Sequence, residues 1–121
     1  MKYTFFLAAE PDAEPAFGSE EWKKYAASYG AFNEEAGKAG VLKGGEPVQP
    51  PERATTVNVK SGQVKLHDGP FAETKEQIVG WYLVECDDLD EAVKWAAKVP
   101  LVVRGFGSIE IRPSIDFSQI G

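Results

Sequence analysis

The sequence predicts a single α+β domain in which two helices lie on one face of an antiparallel sheet. Three observations carry that prediction. At 121 residues the chain has room for one core, since domains commonly run to roughly 100–150 residues. Hydrophobic residues make up 43% of it and three are Trp, which supplies the apolar surface needed to offset the entropy of ordering a globule. Segments of period-two alternation are interleaved with segments of helical period, in the order β-α-β, a hairpin, then β-α-β.

Each element follows from its residues. Tyr3, Phe5 and Leu7 alternate with Thr4, Phe6 and Ala8, so the first strand carries apolar groups on both faces, as a strand covered on two sides does. Pro11 and Pro15 interrupt the pattern. Ser19 is placed to cap a helix whose first turn holds Glu20 and Glu21 at the positive end of the dipole. Trp22, Tyr25, Ala26, Tyr29, Phe32 and Ala36 recur at helical spacing and form one core-facing stripe, and Gly40 supplies the stop. Val41 to Val48 reads as a short strand interrupted by Gly44-Gly45, and Pro47, Pro50 and Pro51 make the next segment a loop.

Thr55, Val57 and Val59, then Val64 and Leu66, alternate on either side of Ser61-Gly62, which is a hairpin pattern. Asp68 to Phe71 is a turn, and Ala72 to Gln77 is expected to make about one helical turn because it holds good helix formers. Ile78 to Cys86 is the most strand-like segment, with Ile78, Gly80, Tyr82 and Val84 on one face, Val79, Trp81 and Leu83 on the other, and both faces expected to be buried. Asp87 or Asp88 caps a second helix. Glu91 completes a box-like arrangement with Asp88, and Leu89, Ala92, Val93 and Ala96 form the apolar stripe. Lys94, Lys98 and Pro100 end that helix, and after a glycine-containing loop Ser108 to Arg112 forms the last strand.

This order is a ferredoxin-like βαββαβ arrangement with an extra β-hairpin strand. Both helices then cover one sheet face, and the apolar groups on the other face of the first and fourth predicted strands would be exposed in a monomer. A large exposed apolar surface marks an interface, so the expected partner is a second copy of the chain, paired sheet to sheet into a dimeric α/β barrel.

Composition excludes several classes of function. With 19 acidic against 13 basic residues the net charge is -6, and no Lys or Arg run is placed to neutralise several phosphates. Direct nucleic-acid binding is not expected. One Cys and one His cannot assemble a structural zinc site or a disulfide, so no metal and no cofactor are predicted, and a reducing, cytoplasmic setting fits. The apolar opening is short and Glu10, Asp12 and Glu14 follow it at once, which differs from a signal peptide. No segment approaches the roughly 20 apolar residues of a membrane span.

The candidate chemistry is sparse. His67 and Asp68 are predicted as catalytic groups, an imidazole and a carboxylate able to do acid/base work if the strand ends between them; otherwise they are an exposed His and a turn-forming Asp. Ligand-binding candidates are Phe71 in the turn, Glu73 and Lys75 where the loop beyond it overhangs a pocket, Tyr82 as part of an aromatic lining with Trp81 and Tyr25 or Tyr29, and Arg104 as a holder of anions. Arg112, beside Glu110, reads as an ion-paired strand residue or a second anion contact. No nucleotide fingerprint and no nucleophile elbow occur.

The segment Asp68-Gly69-Pro70-Phe71-Ala72-Glu73-Thr74-Lys75-Glu76-Gln77 resembles the signature of the DGPF group of YCII-related proteins. Glu20-Glu21-Trp22, Tyr29-Gly30-Ala31-Phe32, Asp87-Asp88-Leu89-Asp90-Glu91-Ala92 and Glu110-Ile111-Arg112-Pro113 resemble it in the same order, so the likeness covers nearly the whole of residues 1–121. It implies a ferredoxin-like subunit that dimerises, but no settled activity. Some members of the group are associated with sigma factors, and a YCII relative is a dehydrochlorinase of a chlorinated hydroxyquinol. In the wider family a His of the first helix works with an Asp; the first helix here contains no His, so that dyad is not carried over. The resulting expectation is a homodimer with a small-molecule pocket and no assignable reaction. Two alternatives stand beside it: an acid/base enzyme of lyase or oxidoreductase type acting on a small aromatic substrate, and a regulatory module linked to a sigma factor.

Overall fold

A computed structural model describes residues 1–72 and 74–119. The order is β1 (Lys2–Ala9), α1 (Glu20–Lys38), β2 (Leu42–Pro47), β3 (Thr55–Lys60), β4 (Gln63–Asp68), β5 (Gln77–Glu85), α2 (Leu89–Ala96), α3 (Pro100–Val103) and β6 (Gly107–Pro113), with 3-10 turns at Pro51–Arg53 and Phe117–Gln119. Four strands form one sheet in the order β2-β5-β1-β6, and every pair is antiparallel. This is the ferredoxin-like arrangement, with β1 and β5 central. Phe5 stands opposite Tyr82 on one side and Ile111 on the other.

The alternation in β1 sets the core. Tyr3, Phe5, Leu7 and Ala9 are buried against the helices, Phe5 completely. The helical layer answers with Phe32 and Ala36 from α1, Ala92 and Ala96 from α2, and Leu101 from α3. Burying each large side chain of this kind contributes roughly 1.5–3 kcal/mol relative to leaving it in water.

Both predicted caps form. Ser19 Oγ accepts from the Trp22 amide at 3.1 Å, and Asp88 Oδ1 accepts from the Glu91 amide at 2.9 Å. Glu91 reaches back to accept from the Asp87 amide at 3.0 Å, one residue before the N-cap, so the arrangement is box-like: one orphan amide of the helix start, that of Glu91, is satisfied, and the entering chain is tied to the first turn.

The structure departs from the expectations in three places and meets one that concerned the single chain. The hairpin adds no strand to the sheet: β3 and β4 pair only with each other, as a separate ribbon. As expected for a single chain, the outer face of β5 is left uncovered, because the helices lie on one side only; Trp81 is 38% exposed, and Leu83 and Phe6 are half-buried. No helical turn forms in the described part of the segment from Ala72 to Gln77. There Gln77 Nε2 donates to the Thr74 carbonyl at 2.7 Å and Thr74 Oγ1 donates to the Glu76 carbonyl, and such side-chain to backbone bonds compete with helix. Pro100, read as the end of α2, also opens the four-residue α3, since a proline that cannot continue one helix suits the first position of another.

Among the described residues no helix is long and apolar enough to cross a membrane.

Candidate functional site

A cavity of about 870 Å³ opens between the first half of α1 and the sheet. The loop between β1 and α1, punctuated by Pro11 and Pro15, walls one side. The proline-rich loop after β2 and the Gly69-Pro70 turn wall the other. Trp22, Tyr25 and Tyr29 face the cavity from α1 at three- and four-residue spacing, which keeps them on one helical face. Phe17 extends the aromatic wall, its ring centroid 4.7 Å from that of Trp22. Leu7, Gly80 and Tyr82 form the floor.

The polar groups at the bottom are connected. Tyr25 Oη donates to Glu14 Oε2 at 2.7 Å, and Tyr25 and Tyr29 hydroxyls lie 3.1 Å apart. An ionised carboxylate only accepts, and Tyr25 has one proton, already given to Glu14. Tyr29 is therefore the donor in the second bond, and the Leu101 backbone amide is directed at its oxygen. Tyr82 Oη donates to Asn33 Oδ1 at 2.6 Å. Burial pushes the Tyr25 hydroxyl far above its ordinary value, and its bonds to Tyr29 and Glu14 add to this. Burial likewise raises Tyr29 and Tyr82. All three phenols stay neutral at physiological pH.

The structure places the sequence-predicted residues in three separate settings. Tyr82 is buried in the floor of the cavity. Lys75 is exposed and pairs with Glu10 at 3.3 Å, and Glu10 lines the cavity, so Lys75 stands at its rim. Arg104 lies against Tyr25, its guanidinium carbon 5.9 Å from the ring centroid, and does not line the cavity.

His67, Asp68 and Phe71 belong to the ribbon. His67 stands opposite Thr56 and Asp68 opposite Thr55, so the two side chains project to opposite faces of β4. His67 and Phe71 line a shallow cleft of about 490 Å³ on the ribbon, and Phe71 is 88% exposed. The turn after β4 is fixed by its backbone: the Gly69 amide donates to the Ala54 carbonyl, and Thr56 Oγ1 donates to the Gly69 carbonyl, each at 2.8 Å. Glu73 lies outside the described residues. Arg112 faces Glu110 at 3.9 Å, both exposed. Cys86 is buried, and burial first, then the nearby Glu91, raises its thiol, which keeps it a poor nucleophile.

Glu14 and Asn33, which hold the cavity's phenols, were not among the sequence candidates. Glu14 sits in a loop without any local pattern, and only the fold brings it to Tyr25. Asn33 had a signal: with Tyr25 and Tyr29 it falls at i, i+4 and i+8, a polar residue continuing an aromatic row.

Comparison with known proteins accords with this architecture. An uncharacterized protein of Rhizobium meliloti (strain 1021) is 33% identical over 113 residues, covering 93% of this chain and 91% of that protein. Among solved structures, a 5-chloro-2-hydroxyhydroquinone dehydrochlorinase from Burkholderia phenoliruptrix AC1100, in complex with 2,5-dihydroxybenzoquinone, aligns with a TM-score of 0.56 over 95% of this chain and 94% of its own. At 14% identity that likeness shows a shared fold alone. The YCII-related domain family matches residues 1–118, and the chain therefore belongs to the YCII-related family.

Proposed function

We propose that this protein is a cytoplasmic homodimer that binds a small, largely apolar molecule in the cavity beneath the Gly69-Pro70 turn. The observation that carries the reading is the cavity itself. Its volume of about 870 Å³ falls within the roughly 300–1,000 Å³ of small-molecule sites, and it combines aromatic walls with a few convergent polar groups, as such sites do. Tyr82, the sequence candidate in the floor, contributes ring surface there, and Lys75 with Glu10 guards the rim.

The dimer half of the proposal rests on the outer sheet face. Phe6 pairs across the sheet with Trp81, and Thr4 with Leu83, which makes an apolar centre that no helix of the same chain covers. Sedimentation velocity at micromolar concentration is expected to show a dimer, and Trp81→Glu to shift it to monomer. A monomeric wild type would remove the barrel.

A fragment screen followed by amide and aromatic NMR shifts tests the pocket. Shifts are expected to cluster at Tyr25, Tyr29 and Tyr82, and binding confined to the exposed ribbon would overturn the assignment. The acid/base alternative would use His67 and Asp68, and their positions on opposite faces of an exposed ribbon lend it less support than the cavity lends binding. For the regulatory alternative, co-purification of a sigma factor from native cells is the supporting result.

A further inference from the structure

The charge around the cavity points to a narrower class of ligand. Five carboxylate residues, Glu10, Asp12, Glu14, Glu46 and Glu52, line it, and no Lys, Arg or His is among the described lining residues. Glu10 is offset by Lys75. Glu14 has no salt-bridge partner within 4 Å among the described residues and is held by a phenol rather than a cation. An anion entering here would meet like charge and no cationic lining side chain, and the phenol protons of Tyr25 and Tyr29 are already committed, to Glu14 and to Tyr25.

The same features favour a cation. Trp22, Tyr29 and Phe17 line the cavity with aromatic rings, while the Tyr25 ring is already taken by Arg104 and Phe106, and the faces of such rings attract organic ammonium groups. The Glu14 carboxylate, which accepts one bond from Tyr25, has further lone pairs that suit an N–H donor. A bare metal ion would need about six oxygen ligands, whereas a substituted ammonium carries its own apolar surface to lay against the rings. We infer that the cavity selects an organic cation, an arylalkyl ammonium whose ring lies against the α1 aromatics and whose charged nitrogen sits beside Glu14 and Tyr29. The inference rests on the pocket reading above and adds the sign of the ligand's charge.

The test uses three probes of one shape on the intact chain: benzylammonium, benzyl alcohol and benzoate, each titrated by NMR at neutral pH. Benzylammonium is expected to bind about tenfold more tightly than benzyl alcohol, and benzoate more weakly than either. Glu14→Gln is expected to lower benzylammonium affinity about tenfold while leaving benzyl alcohol within about twofold, and Glu20→Gln, on the exposed start of α1, to change neither. Tyr25→Phe, which frees Glu14 without removing its charge, is expected to retain the preference for the cation. Benzoate binding as well as benzylammonium, or an unchanged cation affinity in Glu14→Gln, would overturn the inference and leave the pocket standing. Failure of all three probes to bind would remove the pocket reading as well.

Discussion

Gly45 offers a sharp test of how the edge strand and the cavity floor are joined. It lies in β2 opposite Tyr82, with φ at +153°. A Cβ added there would stand 2.5 Å from Tyr82 Cδ1 and 2.6 Å from the Trp81 carbonyl oxygen. The ring has some freedom to turn away, but the carbonyl is part of β5 and has none without distorting the ladder. Forcing a methyl into a packed site costs roughly 1–3 kcal/mol, and holding alanine at positive φ adds about 1 kcal/mol or more, so Gly45→Ala is expected to destabilise by about 2–4 kcal/mol.

Gly44, the adjacent residue on the opposite face, is the control. A Cβ there meets Trp81 Cη2 at 3.8 Å and Leu83 Cβ at 4.0 Å, which are ordinary contacts, so Gly44→Ala is expected to change stability by less than about 1 kcal/mol. For a chain of this size each kcal/mol moves the melting temperature by about 3–6 °C. Thermal denaturation followed by circular dichroism should therefore separate the two variants by about 10 °C. Melting of Gly45→Ala within about 2 °C of the parent, or equal losses in both variants, would refute the close approach of β2 to Tyr82.

Alkaline titration should reveal the buried phenols. Tyr25, Tyr29 and Tyr82 are raised above their ordinary value of 10.0 chiefly by burial. The folded chain thus keeps protons that the unfolded chain releases; the stability is fully present below pH 10 and is lost as the pH rises through the folded values. Tyrosinate absorbance of these residues is expected to appear together with loss of the circular dichroism signal, and a phase of ionisation well before unfolding would contradict the burial. In the helical layer, Leu101 is fully buried, and Leu101→Ala is expected to cost about 2–5 kcal/mol in urea denaturation; a loss below about 1 kcal/mol would mean that α3 is not part of the core.

What the sequence disclosed divides along the range of the interactions involved. The strands β1 and β5, the stripe of α1 and the caps at Ser19 and Asp88 are written in residues a few positions apart, and period and capping chemistry read them directly. The cavity is not. Its polar floor joins Glu14 to Tyr25 and Asn33 to Tyr82, pairs that only the packing of α1 on the sheet brings together. His67 and Asp68 drew interest as the sole imidazole beside a carboxylate, but strand alternation separates neighbours that sequence adjacency joins. The ribbon escaped correct placement for a related reason: Val57, Val59, Val64 and Leu66 alternate like a buried strand pair, yet all four are exposed, and alternation alone does not say which sheet a strand joins. Leu101 was hidden by Pro100, whose stop signal for α2 masked the start of α3.

The excursion from Val48 to Glu76 separates two strands that are nonetheless direct neighbours, with Pro47 opposite Gly80 and the Val48 amide still bonded to the Val79 carbonyl at 3.0 Å. In a minimal fold of this type a tight turn would join them. Everything inserted in its place is architecturally optional, yet it supplies one wall of the cavity. Scaffold and one cavity wall are thereby carried by different stretches of chain: the sheet holds its register through β1 and β5, while lengthening, trimming or recomposing the insertion would reshape that wall, at little cost to the sheet beneath. Within a family sharing this framework, divergence in the length and shape of that wall is expected to accumulate there first.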